Sequence, residues 1–490
     1  MSVPYFLVDD YTIMINFIEN ILCHFESCFS RKAAFHWFVT ITIGFMLRSD
    51  KLGVTSVIRD LALSPACYDS ILHFFRASSW SLADIRKRWF SAVRLYAPLY
   101  MEGSFHVLVG DGVKQSKEGR RMPGVKKLFQ ESENSAKPEY IHGHMFGGLG
   151  ILAGSVRNWA CIPLSIRLHD GLQAAGKWKG ASVPAASHVV QMVEDAYRAA
   201  LTFGDSLLLL DRYFLSVPAL EKLKSLNSSG DIRMEIITKA KKSCTAFEKL
   251  GPRRPRRGRP SKKGPAVHLK ELFISHREKF QEAEIELYGK KETIRFYCID
   301  LLWGQKLYQE LRFVLVEMNG TKSILASTSL ALDPLSIIRL YSYRFRIECT
   351  FRELKQQVGA FCYHFWSKYM PKLSYYQKKG EPSPLERVEG EKAQEKILEA
   401  VRAIEMHMAL SCIAMGILQS LSICFIGKVS SSQIRYQRTP SRGRVSEATL
   451  MYYFRKHFFR LLGQSPELCI TQIIQGLQKK SEEHYDFLAS

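Results

Sequence analysis

Residues 105–112, FHVLVGDG, break the rhythm of the chain. Before them, apolar residues recur at helical spacing, as in Met14, Phe17, Ile18 and Ile21, with no strand-like alternation. The octet instead packs β-formers into one short run that stops at glycine and aspartate, the pattern of a buried strand. Two further runs follow, YIHGHMFGGLGILAG (140–154) and NWACIPLSIRLHDG (158–171), separated by turn residues as in a meander. Residues 183–201 then read as a helix, DSLLLLDRY (205–213) as a fourth strand again ending in aspartate, 217–226 as a helix, and RMEIITKA (233–240) as a fifth strand. A β-β-β-α-β-α-β order predicts an α/β protein with a central mixed sheet and helices on its faces.

Working outward from that sheet, residues 1–100 form a helical candidate DNA-binding domain and 101–240 the first part of the sheet domain. Within the former, VTSVIRDLALSPACYDSILHFFRAS (54–78) offers two short helices broken at Ser64-Pro65, which suits a helix-turn-helix or any small helical bundle. Residues 241–332 hold a basic loop and a β-rich insertion whose AEIELYG, IRFYCIDLLW and RFVLVEM runs alternate as strands do. Residues 333–370 carry a helix that closes the sheet domain, and 371–490 a linker and a helical end. The apolar run 406–426 is long enough to span a bilayer, but it contains His407, Gln419 and several serines and continues a helical rhythm begun at Ile397, so a buried core helix is expected.

The 69 Lys and Arg against 47 Asp and Glu leave a net charge of +22, which points to a polyanionic partner, double-stranded DNA before a membrane. The charge concentrates in two places. GPRRPRRGRPSKKG (251–264) has no acid and is broken by proline and glycine; Arg257 and Arg259 in its R-G-R-P core suit either a narrow minor groove or non-specific phosphate contact. VKQSKEGRRMPGVKK (113–127) places Lys114 and Lys117 just after Asp111, as a DNA-tracking loop would. Eleven scattered cysteines without a C-x-x-C pair fit a reducing cytoplasm, nucleoid-associated if DNA is the partner, and Cys23, Cys28 and His36 match no usual zinc spacing. His142 and His144 share a strand face, but no acid or cysteine is spaced to join them as ligands, which favours packing or a supporting hydrogen bond.

Three acids stand out by position: Asp111 and Asp211 at strand ends, and Glu348 within YSYRFRIECTFRELKQ (341–356). At about 100° per residue, Tyr341, Arg344, Glu348 and Lys355 fall within an arc of roughly 60°, a column beside the apolar stripe of Ile347, Phe351, Leu354 and Val358. If that stripe packs on the sheet, Glu348 joins the aspartates. Three converging carboxylates repel unless cations neutralise them, and oxygen-only ligation favours two Mg²⁺ or Mn²⁺ ions, the makings of a phosphoryl-transfer site. An ion-paired amphipathic helix is the plainer alternative for the column.

The spacing Y-(2)-R-(3)-E-(6)-K of those four residues resembles the signature of DDE transposases of the insertion sequence 4 type. GDG around Asp111, LLLLDRYF around Asp211, the β-rich insertion and the helical ends are also similar to that family, from about residue 50 onward. The resemblance implies an RNase H-like fold and metal-dependent cleavage of transposon ends with strand transfer into target DNA, performed by a homo-oligomer. It maps Asp111, Asp211 and Glu348 to the metal-binding acids, and Tyr341, Arg344 and Lys355 to DNA-end contacts. Some members stack a flipped base on a tryptophan of the insertion, where this chain has Trp303. A domesticated, non-catalytic DNA-binding protein and a nuclease that cuts without joining are the alternatives.

Overall fold

A computed structural model of the protein describes residues 10–50, 53–130, 136, 138–155, 158–181, 186–250, 261–374, 382–429 and 444–489. Thirteen strands among them form a single sheet. Its centre comprises Phe105–Ser116, Tyr140–Ala153, Ala160–Leu168, Ser206–Leu209 and Met234–Lys239, the first to fifth core strands. The first three pair antiparallel, whereas the fourth lies parallel between the first and the fifth. Parallel neighbours need crossovers, and helices His188–Phe203 and Val217–Ser229 supply them. The result is the RNase H-like mixed sheet that the element order and the resemblance predict.

The insertion continues this sheet. Strands Gln281–Leu287, Lys290–Trp303, Gln309–Met318 and Thr321–Ser327 pair antiparallel in turn, and the last of them pairs with the fifth core strand. Leu301, Leu311, Phe313 and Leu315 fill a second, smaller hydrophobic cluster on this side.

Glycine determines how closely helices approach the first strand. A Cβ on Gly110 would meet Met192 at 2.7 Å and Leu210 at 2.8 Å, so its absence lets the helix His188–Phe203 close on one face. On the other face Gly148, the register partner of Asp111, would place a Cβ 2.5 Å from the Phe351 ring. The helix Phe345–Glu353 therefore lies over the second core strand at the position paired with Asp111.

Helices from both ends of the chain gather around the 34-residue helix Glu391–Cys424. By length and composition it could cross a membrane, yet its apolar window is 94% buried, against Lys32–Leu47 and the third core strand among others. Sheet and terminal helices share one continuous cluster that includes Phe38, Phe45, Ile151, Ile162 and Leu418. Each such side chain contributes about 1.5–3 kcal/mol by leaving water. The two short helices of the 54–78 stretch are Thr55–Asp60 and Cys67–Arg76, and the solvent face of the second mixes Asp69 with His73 and Arg76.

Candidate active site

The apolar stripe of the 341–356 stretch is buried as its periodicity predicts: Ile347, Phe351, Leu354 and Val358 all face the core. Thr350 donates to the Cys161 carbonyl at 2.7 Å, which pins the helix to the third core strand. The column beside the stripe is not one regular helix. Pro334–Tyr343 ends before Arg344, Phe345–Glu353 follows, and Leu354–Val358 is a π-helical turn. Arg344 sits at the first junction, and Lys355 lies in the widened turn with its ammonium 5.5 Å from the Phe361 ring centre. Constant angular steps do not describe a segment that changes its winding twice.

This winding puts Arg344 between two acids. Its Nη1 donates to Asp111 Oδ2 at 3.0 Å, and its Nη2 donates to Glu348 Oε1. Asp211 follows the fourth core strand, where its carbonyl accepts from Thr238 Oγ1 at 2.8 Å, while its carboxylate makes no hydrogen bond or ion pair among the described residues. The three acids share one field. Burial, with Asp211 and Glu348 adding to it, pushes the Asp111 carboxyl up to about 6, against the pull of Arg344 and the Gly112 N–H. The three carboxylates are not all within 4.8 Å of one another.

Other expected residues fare unevenly. Tyr341 is half-buried at the same place, and burial raises its phenol. Lys117 is a correction: it turns inward, donating to the carbonyls of Phe361 at 2.6 Å and Tyr363 at 3.0 Å over the Tyr363 ring, and burial lowers it to about 8. The loop after the first strand folds back on residues 361–373, where Arg121 also donates to the Lys368 carbonyl at 2.6 Å, so its cations serve the fold. Lys114 alternates onto the face opposite Asp111 and donates to the Phe129 carbonyl at 2.7 Å. Trp303 is likewise turned to structure, half-buried on the second cluster with its indole N–H on Cys244 Sγ at 3.2 Å. Arg257 and Arg259 lie outside the described residues.

His144 is fully buried, with Nε2 2.9 Å from the Pro123 carbonyl and Nδ1 2.5 Å from Tyr363 Oη. A carbonyl only accepts, so Nε2 carries the proton and Nδ1 accepts from the tyrosine; burial keeps the ring neutral, at about 3. The one group of three metal-ligand side chains within 4.8 Å among the described residues is Glu19, Cys23 and Cys469. Glu19 there caps a helix, accepting from the N–H groups of Cys469 at 2.8 Å and Ile470 at 2.9 Å.

Three residues at the site escape a sequence reading. Lys239 ends the fifth core strand and lies within the field of Asp211 and Arg344, whereas Asp111, expected at a strand end, lies inside the first core strand, whose pairing with the second continues to Ser116. Tyr288 occupies the hairpin tip before Gly289 with φ 54°, is 67% exposed, and bears on Tyr341. Its signal is a Tyr-Gly pair between two alternating runs. Arg48 is fully buried and donates to the carbonyls of Val358 at 2.7 Å and Gly359 at 3.3 Å, capping the end of the Glu348 helix. No local pattern marks this role, because those two carbonyls are some 310 residues away, while its other terminal nitrogen donates nearby to the Gly53 carbonyl.

A cleft of about 1140 Å³ lies elsewhere, between Arg86, Arg167, Arg198, Glu194 and Glu405, and none of the three acids lines it. A family model described as DDE superfamily endonuclease matches residues 24–290, more than half of the chain. That span contains Asp111 and Asp211 and stops short of Glu348. Neither a search of curated proteins nor one of solved structures found a match.

Proposed function

Because the chain belongs to the DDE superfamily endonuclease family, we propose that it is a transposase that cleaves transposon ends and transfers them into target DNA. The observation that carries this reading is the convergence of Asp111, Asp211 and Glu348 around Arg344 on one face of the sheet. Members of this superfamily use divalent metal ions, and the donor set fits them. It is all oxygen, it includes a carboxylate with no hydrogen-bond or ion-pair partner among the described residues, and burial, with the other two acids adding to it, raises Asp111. Bound ions would polarise the scissile phosphate and activate the attacking water or 3′-hydroxyl.

The chain's own groups do the rest. Asp111 on the first core strand, Asp211 just beyond the fourth and Glu348 on its helix would hold the ions. Arg344, Lys239 and Lys355 offer positive charge to the flanking phosphates, and the Tyr341 phenol, kept protonated by burial, donates to a phosphate oxygen. Tyr288 presents an exposed ring to DNA bases beside the site.

The test is a nicking and joining assay on double-stranded DNA from the ends flanking the gene, with Mg²⁺. Wild type should cut and join, while Asp111→Asn and Glu348→Gln should do neither. If both variants cut like wild type, the assignment of the acids is wrong. Cutting without joining favours a nuclease, and tight binding without cutting a domesticated DNA-binding protein.

A further inference from the structure

Arg344 occupies an unusual position for a DNA contact. Its two terminal nitrogens are both committed, one to Asp111 and the other to Glu348, and only 16% of its side chain is exposed. Arg cannot give up its proton in a protein, so the guanidinium is a permanent cation lodged between two of the three acids. A divalent ion entering there would meet that charge at contact distance and be repelled by it, the more strongly where water is partly excluded. Ion and guanidinium therefore compete for the same carboxylates. Without either, Asp111 and Glu348 would lose the cation that now bridges them.

Resting on the assignment of the acids to metal, we propose that Arg344 is a stand-in cation that yields the acids to divalent ions by moving onto a DNA phosphate. The exchange conserves the pairing of every charge: the ions take over the carboxylates, and the guanidinium gains a phosphate whose two unesterified oxygens suit its fork of donors. Position favours the move. Arg344 lies at the break between Pro334–Tyr343 and Phe345–Glu353, where Glu348 is 43% exposed and the site opens to solvent. By linkage, whatever draws Arg344 away strengthens ion binding, and bound ions strengthen DNA binding by the same factor. The protein would then assemble its full metal site on DNA and hold it closed without DNA.

The experiment titrates the full-length protein with Mn²⁺ alone, read by electron paramagnetic resonance, with and without a short double-stranded DNA of arbitrary sequence. In wild type, DNA should tighten Mn²⁺ binding about fivefold or more. Arg344→Gln should bind Mn²⁺ without DNA at least as tightly as wild type does with it, and DNA should add nothing further. Arg344→Lys, which keeps the charge but cannot bridge two carboxylates, should fall between them and controls for folding. The proposal fails if Arg344→Gln binds Mn²⁺ no more tightly than wild type, or if DNA leaves the wild-type affinity unchanged. Asp111→Asn separates the two levels of argument. Loss of Mn²⁺ there with no gain in Arg344→Gln sinks the exchange alone, whereas Mn²⁺ bound as in wild type sinks the metal assignment with it.

Discussion

Two groups of acids in this molecule face arginines and differ in how completely they are answered. At the junction of helix His188–Phe203, the third core strand and the long helix, Asp195 accepts from Arg167, Arg198 and His169, and Glu405 pairs with Arg86 at 3.0 Å and takes the Leu168 N–H at 3.2 Å. Burial would raise both carboxyls, yet their partners hold both below the ordinary range. At the other group one guanidinium serves Asp111 and Glu348, Asp211 has no direct partner among the described residues, and Asp111 rises to about 6. The first group is complete as it stands and so is structural. The second has a single guanidinium for three acids among the described residues, which is why it is the candidate site.

The sharpest way to break this comparison is to neutralise one acid from each group. Asp211→Asn should lower DNA cleavage at least about a thousandfold, as loss of a group that stabilises the reacting centre does, with little change in resistance to denaturant. Asp195→Ala should do the reverse. It strands Arg167 and should cost about 3–5 kcal/mol in chemical denaturation, while the protein that stays folded cleaves normally. Equal effects on cleavage from both would erase the distinction.

The pH dependence should carry opposite signs in the two groups. Asp111 has a folded pKa of about 6, above its ordinary 3.8, so its stabilising contribution is whole below about pH 4 and lost as pH rises through 6. Asp195, held low, stabilises above the ordinary carboxylate range, and that contribution is lost as pH falls through its depressed pKa. Metal-free Asp111→Asn should therefore be more stable than wild type near neutral pH, by at most about 3 kcal/mol, and show a flatter loss of stability between about pH 4 and 7. A steeper loss in the variant would contradict the cause given for its shift.

The smallest expected effects concern cations. Lys355→Ala should weaken DNA binding and lower its salt dependence by about one counterion, measured as the slope of affinity against salt. Lys117→Ala should leave that slope alone and reduce stability by about 1–3 kcal/mol, since its ammonium holds two carbonyls. A changed slope for Lys117 would return it to the DNA surface.

Much of this architecture is legible in local sequence because it rests on local physics. The β-formers before Asp111 and Asp211, the helical stripe of Ile347, Phe351, Leu354 and Val358, and the buried rhythm from Ile397 through Leu421 all express one-dimensional periodicities that burial enforces, although the first core strand runs on past Asp111 to Ser116. What a long cationic side chain does depends on which carbonyl or carboxylate the fold carries to it, and periodicity does not encode that. Lys117 turns inward because residues 361–363 return to it, Arg48 caps the Glu348 helix from the far end of the chain, and Trp303 settles on Cys244. The Arg344–Glu348 pair is an i,i+4 pair, as the ion-paired alternative for the column allows, whereas the Arg344–Asp111 pair emerges only when the first core strand and the helix junction meet. Burial is a property each residue carries in its own chemistry, while charge pairing belongs to the distances between residues.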